Sequence, residues 1–138
     1  MIAYIDTSAL LRVVLREAGA LHDLRSYDGL VSSELIAVES ARTIDRLRLQ
    51  GSLTTHEAAV RLRAISDSLE AVDLVLLRPS VLSRASEPMP MSLRTLGAVH
   101  LATALIWRDR TGALPTMATH DAALGLAPRT FGFDVRGI

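Results

Sequence analysis

Three acids stand where a carboxylate can do chemistry. Asp6 ends the apolar, β-forming run Ile2-Ala3-Tyr4-Ile5 and is followed by Thr7-Ser8. Asp121 comes two residues after Thr119, at the end of a second such run, Pro115-Thr116-Met117-Ala118-Thr119. In open α/β sheets ligands gather at the carboxyl ends of the strands, so both acids project at one edge if their strands are neighbours. Glu39 lies inside a helix-forming segment, on the stripe shared by Leu35 and Thr43 and close to the face that must meet the sheet. Each acid also has a plain structural role open to it. Asp after a strand commonly caps the next helix, and Glu39 has Arg42 one turn on, an ion pair worth only about 0.2–0.5 kcal/mol on a helix surface. If the three carboxylates converge, their like charges repel unless a cation neutralises them. Oxygen-only donors then select Mg²⁺ or Mn²⁺ over zinc.

A second group of residues lies in Leu93-Arg94-Thr95-Leu96-Gly97-Ala98-Val99-His100-Leu101-Ala102-Thr103-Ala104-Leu105. Gly97 interrupts a good helical pattern, at a cost of about 1 kcal/mol relative to alanine, and shares a face with His100 and Leu101. Close helix packing, needing no side chain at that point, is the plain reading. His100 reads most simply as a hydrogen-bonded structural histidine. His22, His56 and His120 show no zinc spacing, and the chain contains no cysteine, so thiolate metal sites and disulfides are excluded.

The elements that must position these residues follow from periodicity and punctuation. Ile2–Ile5 reads as a first strand entering a helix that runs to Ala18-Gly19, and a short helix covers Leu21 to Tyr27. Leu30-Val31-Ser32 is a second strand. Ser32-Ser33-Glu34 opens a long helix to Gln50, stopped by Gly51. Thr54 and Glu57 form a capping box that starts another helix to Leu69, making a helical hairpin with the one before. Val72 to Leu77 reads as strand three, Pro79 starts a short helix, and Glu87-Pro88-Met89-Pro90 forbids regular structure. A helix from Leu93 to Arg110, a strand over 115–119, a short helix from Asp121 to Leu126 and a last strand from Phe131 to Val135 complete the chain. Strands alternating with helices imply an α/β fold, a parallel sheet covered on both faces.

Composition bounds the rest. With 49% hydrophobic residues, 138 residues are enough for one domain, 1–138, with a real core. The N-terminal run lacks a basic start and meets Asp6 where a secretory signal should be apolar, and Leu96 to Trp107 is too short to span a bilayer, so a cytoplasmic protein without membrane contact is expected. A formal net charge of zero provides no global field for nucleic acid, so any such contact is local. All basic residues except histidine are arginine, a choice that suits phosphate but reflects genome composition more plausibly than binding.

Taken in order, Asp6-Thr7-Ser8, Ser33-Glu34-Leu35 leading to Glu39, the Leu96-x-Ala98-Val99-His100-Leu101-Ala102-Thr103-Ala104 segment and Thr119-His120-Asp121 resemble the PIN-domain family, and within it the VapC-type toxins of bacterial type II toxin-antitoxin pairs. The resemblance covers essentially the whole chain. It implies a three-layer α/β/α sandwich around a mostly parallel sheet of four or five strands, and a Mg²⁺- or Mn²⁺-dependent endoribonuclease acting on transfer or ribosomal RNA. A cognate antitoxin and a homodimer are implied as partners. The family's acids fall on Asp6, Glu39 and Asp121, with Thr119, and Thr7 or Ser8, as supporting hydroxyls. At Gly97 the sequence departs: the family pattern carries an acid directly before Ala98-Val99-His100. A lost carboxylate accounts for a helix-interior glycine there better than packing does, either as a disabling substitution or as natural divergence.

On this reading the acids hold one or two ions that activate water for attack on phosphorus. Asp6 is the central ligand, Asp121 and Glu39 complete or orient the shell, and Thr119 hydrogen-bonds a carboxylate or water. Arg94 is a candidate phosphate contact. The rival reading, favoured by Gly97, is a non-catalytic module of the same fold that binds an antitoxin or RNA. A phosphotransfer enzyme with Asp6 as nucleophile lacks the second acid two residues on, where Ser8 stands. Leu47, Leu49, Leu62 and Ile65 on the helical hairpin are available either to the core or to a partner chain.

Overall fold

Strand β1 (Ile2–Ile5) lies at the centre of the sheet, flanked by β2 (Gly29–Ser33) and β4 (Thr116–Ala118), with β3 (Val72–Val75) and β5 (Val135–Arg136) at the edges. This computed structural model describes residues 1–138. All four pairings are parallel, and Ile5 is in register with Ala118, which puts the residues that follow β1 and β4 side by side. The helices are α1 (Thr7–Val14), α2 (Leu35–Leu49), α3 (Thr55–Leu69), α4 (Pro79–Ala85), α5 (Thr95–Thr111) and α6 (Ala122–Thr130), with a 3-10 turn at His22–Ser26.

Side chains alternate across a strand, and the two faces of β1 lead into separate cores. Ala3 and Ile5 pack with Leu10 and Val14 of α1, Ile36 and Ile44 of α2, and Ile65 of α3. Tyr4 and Val31 point the other way, against Leu101 and Leu105 of α5, Leu124 of α6 and Met117 of β4. The result is the expected three-layer sandwich. Each aliphatic side chain fully buried in these layers contributes about 1.5–3 kcal/mol. Helix α5 is buried without interruption from Ala98 to Leu105, because α4 packs on its remaining side through Val81, Val99 and Ala102. A helix apolar all round belongs in such a place.

The boundaries differ from the sequence reading at several points. Strand β3 stops at Val75 rather than Leu77, since β2 ends at Ser33 and the Leu77 amide donates instead to Glu34 Oε2 at 3.0 Å. Helix α5 begins at Thr95, with Arg94 still extended. The segment expected as a short helix is a 3-10 turn of five residues. Helix α6 runs on to Thr130 through Pro128; Phe131 closes it, Gly132 turns the chain at φ +86°, and Phe133 enters the core, so β5 is only Val135–Arg136. Of the hairpin residues, Ile65 is buried and Leu47 half-buried, while Leu49 and Leu62 are exposed. The Thr54 cap forms as expected, accepting from the Glu57 amide at 3.0 Å. No helix is long and apolar enough to cross a membrane.

Candidate active site

Asp6 is buried at the carboxyl end of β1, only 4% exposed, and its carboxylate is held from three directions. Oδ1 accepts from the Ala9 amide at 2.9 Å, which makes Asp6 the N-cap of α1, and from Ser8 Oγ at 2.7 Å. Oδ2 accepts from Thr119 Oγ1 at 2.6 Å and again from Ser8 at 2.9 Å. Asp6 therefore caps α1 as expected and still lines the cleft at the carboxyl end of the sheet. Thr119 also accepts from the Asp121 amide at 3.0 Å, and Ser8 from the His120 amide at 2.8 Å, so the ends of β1 and β4 are stitched together through two hydroxyls.

Asp121 caps α6 by accepting from the Leu124 amide at 3.0 Å through Oδ1; its other oxygen is free of protein donors, and the residue is exposed. Glu39 does not pair with Arg42, which turns instead to Asp45 at 3.1 Å. Its Oε1 accepts from Thr7 Oγ1 at 2.8 Å and sits 2.7 Å from His100 Nε2, leaving Oε2 without a protein donor. Behind it, His100 Nδ1 is 2.8 Å from the buried Tyr4 hydroxyl, so both ring nitrogens of His100 are occupied and neither is available as a metal ligand.

These side chains line one cleft of about 520 Å³, formed by Asp6, Thr7, Ser8, Glu39, His100 and Asp121 together with Arg94 and Gly97. A Cβ placed on Gly97 would meet only Leu93 Cδ2, at 3.7 Å, an ordinary contact. Close packing is thus not what glycine is for, and the position opens into the cleft. No arginine pairs with Asp6, Glu39 or Asp121; the one basic side chain in contact with them is His100, hydrogen-bonded to Glu39. Carboxylates gathered without a fixed cation attract one. All the available donors are oxygens, as a hard divalent ion requires. As the side chains stand, no three acidic or histidine residues form a set around one ion.

Sequence reasoning found the acids and hydroxyls of this cleft but not Tyr4. The available signal was a phenol in the middle of a strand buried on both faces, since a buried Tyr hydroxyl requires a partner.

The family model of the PIN domain matches residues 3–124. The chain belongs to the PIN-domain family. Among curated relatives, Ribonuclease VapC46 of Mycobacterium tuberculosis (strain ATCC 25618 / H37Rv) is 33% identical over 136 residues, covering 96% of this chain and 94% of the relative. Among solved structures, a toxin-antitoxin complex from Klebsiella pneumoniae superposes with a TM-score of 0.63 at 14% identity, over 91% of this chain and 92% of that one, a likeness of fold. In this PIN chain the matched span runs from within β1 into α6 and contains every cleft residue named above.

Proposed function

We propose that this PIN-domain chain is a metal-dependent endoribonuclease, the toxin of a toxin-antitoxin pair, folding as one domain over residues 1–138. The observation that carries the reading is the cleft itself: three carboxylates, one of them buried, share it with no fixed positive partner. The 33% identity to a ribonuclease over nearly the whole chain supports the choice of RNA as substrate. Asp6, Asp121 and Glu39 would hold Mg²⁺ or Mn²⁺. Such an ion, once bound, supplies positive charge for the phosphodiester and lowers the pKa of water.

The chain's own groups do the rest. Ser8 and Thr119 fix both oxygens of Asp6 and so hold its charge at one point. Thr7 and His100 fix Glu39 Oε1 and leave Oε2 for the cleft. Arg94, exposed at the mouth, contacts a phosphate of the RNA; its planar fork suits that oxygen geometry. Transfer or ribosomal RNA is the substrate class, the cytoplasm the place of action, and a cognate antitoxin and a second copy of the chain the protein partners. The structural likeness to a toxin-antitoxin complex supports the antitoxin.

Gly97 favours a second reading, a non-catalytic PIN module that binds antitoxin or RNA, because the cleft has room for a further side chain that this sequence does not supply. The deciding experiment incubates the chain and its Gly97→Asp variant with total RNA, in Mg²⁺ or Mn²⁺ and in chelator. Metal-dependent cleavage by either protein supports the nuclease, and cleavage by the variant alone marks Gly97 as the lesion. If neither cuts where a related active toxin does, the binding module takes its place.

A further inference from the structure

A buried row of hydrogen bonds runs from the core of the sheet to the cleft. The Ser33 amide is 3.1 Å from Tyr4 Oη, Tyr4 Oη 2.8 Å from His100 Nδ1, and His100 Nε2 2.7 Å from Glu39 Oε1. Tyr4 and His100 are 0% and 2% exposed, with their rings edge to face at 79° and 5.8 Å between centroids. The row has one direction. A carboxylate only accepts, so the proton between His100 and Glu39 sits on Nε2. A neutral ring then has a bare Nδ1. The Tyr4 oxygen already accepts from the Ser33 amide, and burial pushes the phenol far above its ordinary pKa, so it keeps a proton to give to Nδ1.

We propose that Tyr4 and His100 are positioning residues: Tyr4 locks His100 as the Nε2–H tautomer, and His100 with Thr7 ties down Glu39 Oε1 so that Oε2 alone is presented to a cation in the cleft. The cation clause rests on the proposed function, whereas the tautomer does not. A side chain as flexible as Glu39, projecting from a helix and half-buried, would otherwise spread over several rotamers, and an ion would have to collect it. Partners of this kind orient a ligand without touching the metal, and their loss lowers metal affinity by about 10–100-fold. The row also explains why a tyrosine occupies a strand position that a leucine could fill: its hydroxyl reaches across from the sheet to α5.

The test has two arms on the intact chain. In ¹⁵N-histidine-labelled protein at mildly alkaline pH, with His100 assigned by its absence in His100→Gln, the nitrogen shifts should report a protonated Nε2 and a bare Nδ1. Tyr4→Phe should move the Nδ1 resonance. The reverse tautomer, or a resonance indifferent to Tyr4→Phe, overturns the proposal. In the second arm, Mn²⁺ alone is titrated and the free ion read by electron paramagnetic resonance, without RNA. Tyr4→Phe and His100→Asn should weaken binding by about 10–100-fold. His100→Gln, whose amide nitrogen reaches the Nε2 position, should retain most of it. Equal losses in the Asn and Gln variants would reduce the pair to packing and overturn the role. If the wild-type chain binds no Mn²⁺, the metal reading of the cleft fails, and the tautomer arm still decides for or against the relay.

Discussion

Gly97→Asp should couple the stability of this chain to divalent cations, and the size of the effect can be worked out in steps. Gly97 is the third residue of α5, and a Cβ there meets nothing closer than 3.7 Å, an ordinary contact, in a position that lines the cleft. Leaving glycine for aspartate recovers a few tenths of a kcal/mol of helix propensity. A carboxylate in the first turn adds about 0.3–1 kcal/mol through the helix dipole, at an N-terminus where Arg94 makes no side-chain cap. Against this, a fourth negative charge enters a cleft that already has Asp6, Glu39 and Asp121. In chelator these contributions nearly cancel, and the variant should melt close to the parent. With ion at 100 times its Kd, linkage adds about 2.7 kcal/mol, which for a domain of this size raises Tm by roughly 8–10 °C. The assay is thermal unfolding of both proteins in chelator and across a Mg²⁺ series. A variant whose Tm fails to rise with Mg²⁺ more than the parent's does would refute the reasoning that the space beside Gly97 belongs to a cation site. A variant that loses several kcal/mol in chelator would refute the steric part.

Two further outcomes are expected. Asp6→Asn keeps an oxygen for the Ala9 amide and hence most of the α1 cap but turns an NH₂ donor toward the Thr119 or Ser8 hydroxyl, so its stability by urea unfolding should fall by about 1–3 kcal/mol, while metal-dependent cleavage, measured in the background that cuts RNA, should be abolished. Leu101→Ala, at a fully buried position between sheet and helices, should cost about 2–5 kcal/mol in the same unfolding experiment, and leave the His100 tautomer unchanged in whatever fraction stays folded.

How far the sequence led depends on which residues are considered. The α/β order, the strand before Asp6 and the strand before Thr119 were legible because local signals agree: apolar runs of β-formers broken by capping residues. That β1 and β4 are neighbours was not, since strand order is a property of the whole sheet; it is the register of Ile5 with Ala118 that makes Asp6 and Thr119 meet. Arg42 illustrates a different failure. Its spacing suggested a pair with Glu39, but Glu39 is turned inward against His100 and Arg42 pairs with Asp45 instead. The packing explanation for Gly97 was reasonable from helix periodicity, and only the open space on that face removes it. The last strand was misplaced because Phe131 looks like a strand former, yet it closes α6 and leaves the turn to Gly132.

The uninterrupted burial of α5 from Ala98 to Leu105 has a mechanical consequence for the cleft. Amides in such a segment should be among the slowest of the chain to exchange with solvent, since core helices open at energies near that of the whole fold. The wall that carries His100 is therefore as stiff as the core and cannot yield to an incoming strand. Arg94, one residue before the helix, belongs to the irregular stretch from Glu87 onward, which contains Pro88 and Pro90 and is pinned to the second core by Met89, Met91 and Leu93. The opening thus joins a wall fixed by the core to a lip held at its apolar side chains only. Any adjustment to a bound molecule falls to that lip, while Asp6 and Glu39, tied to Thr119 and His100, keep their places.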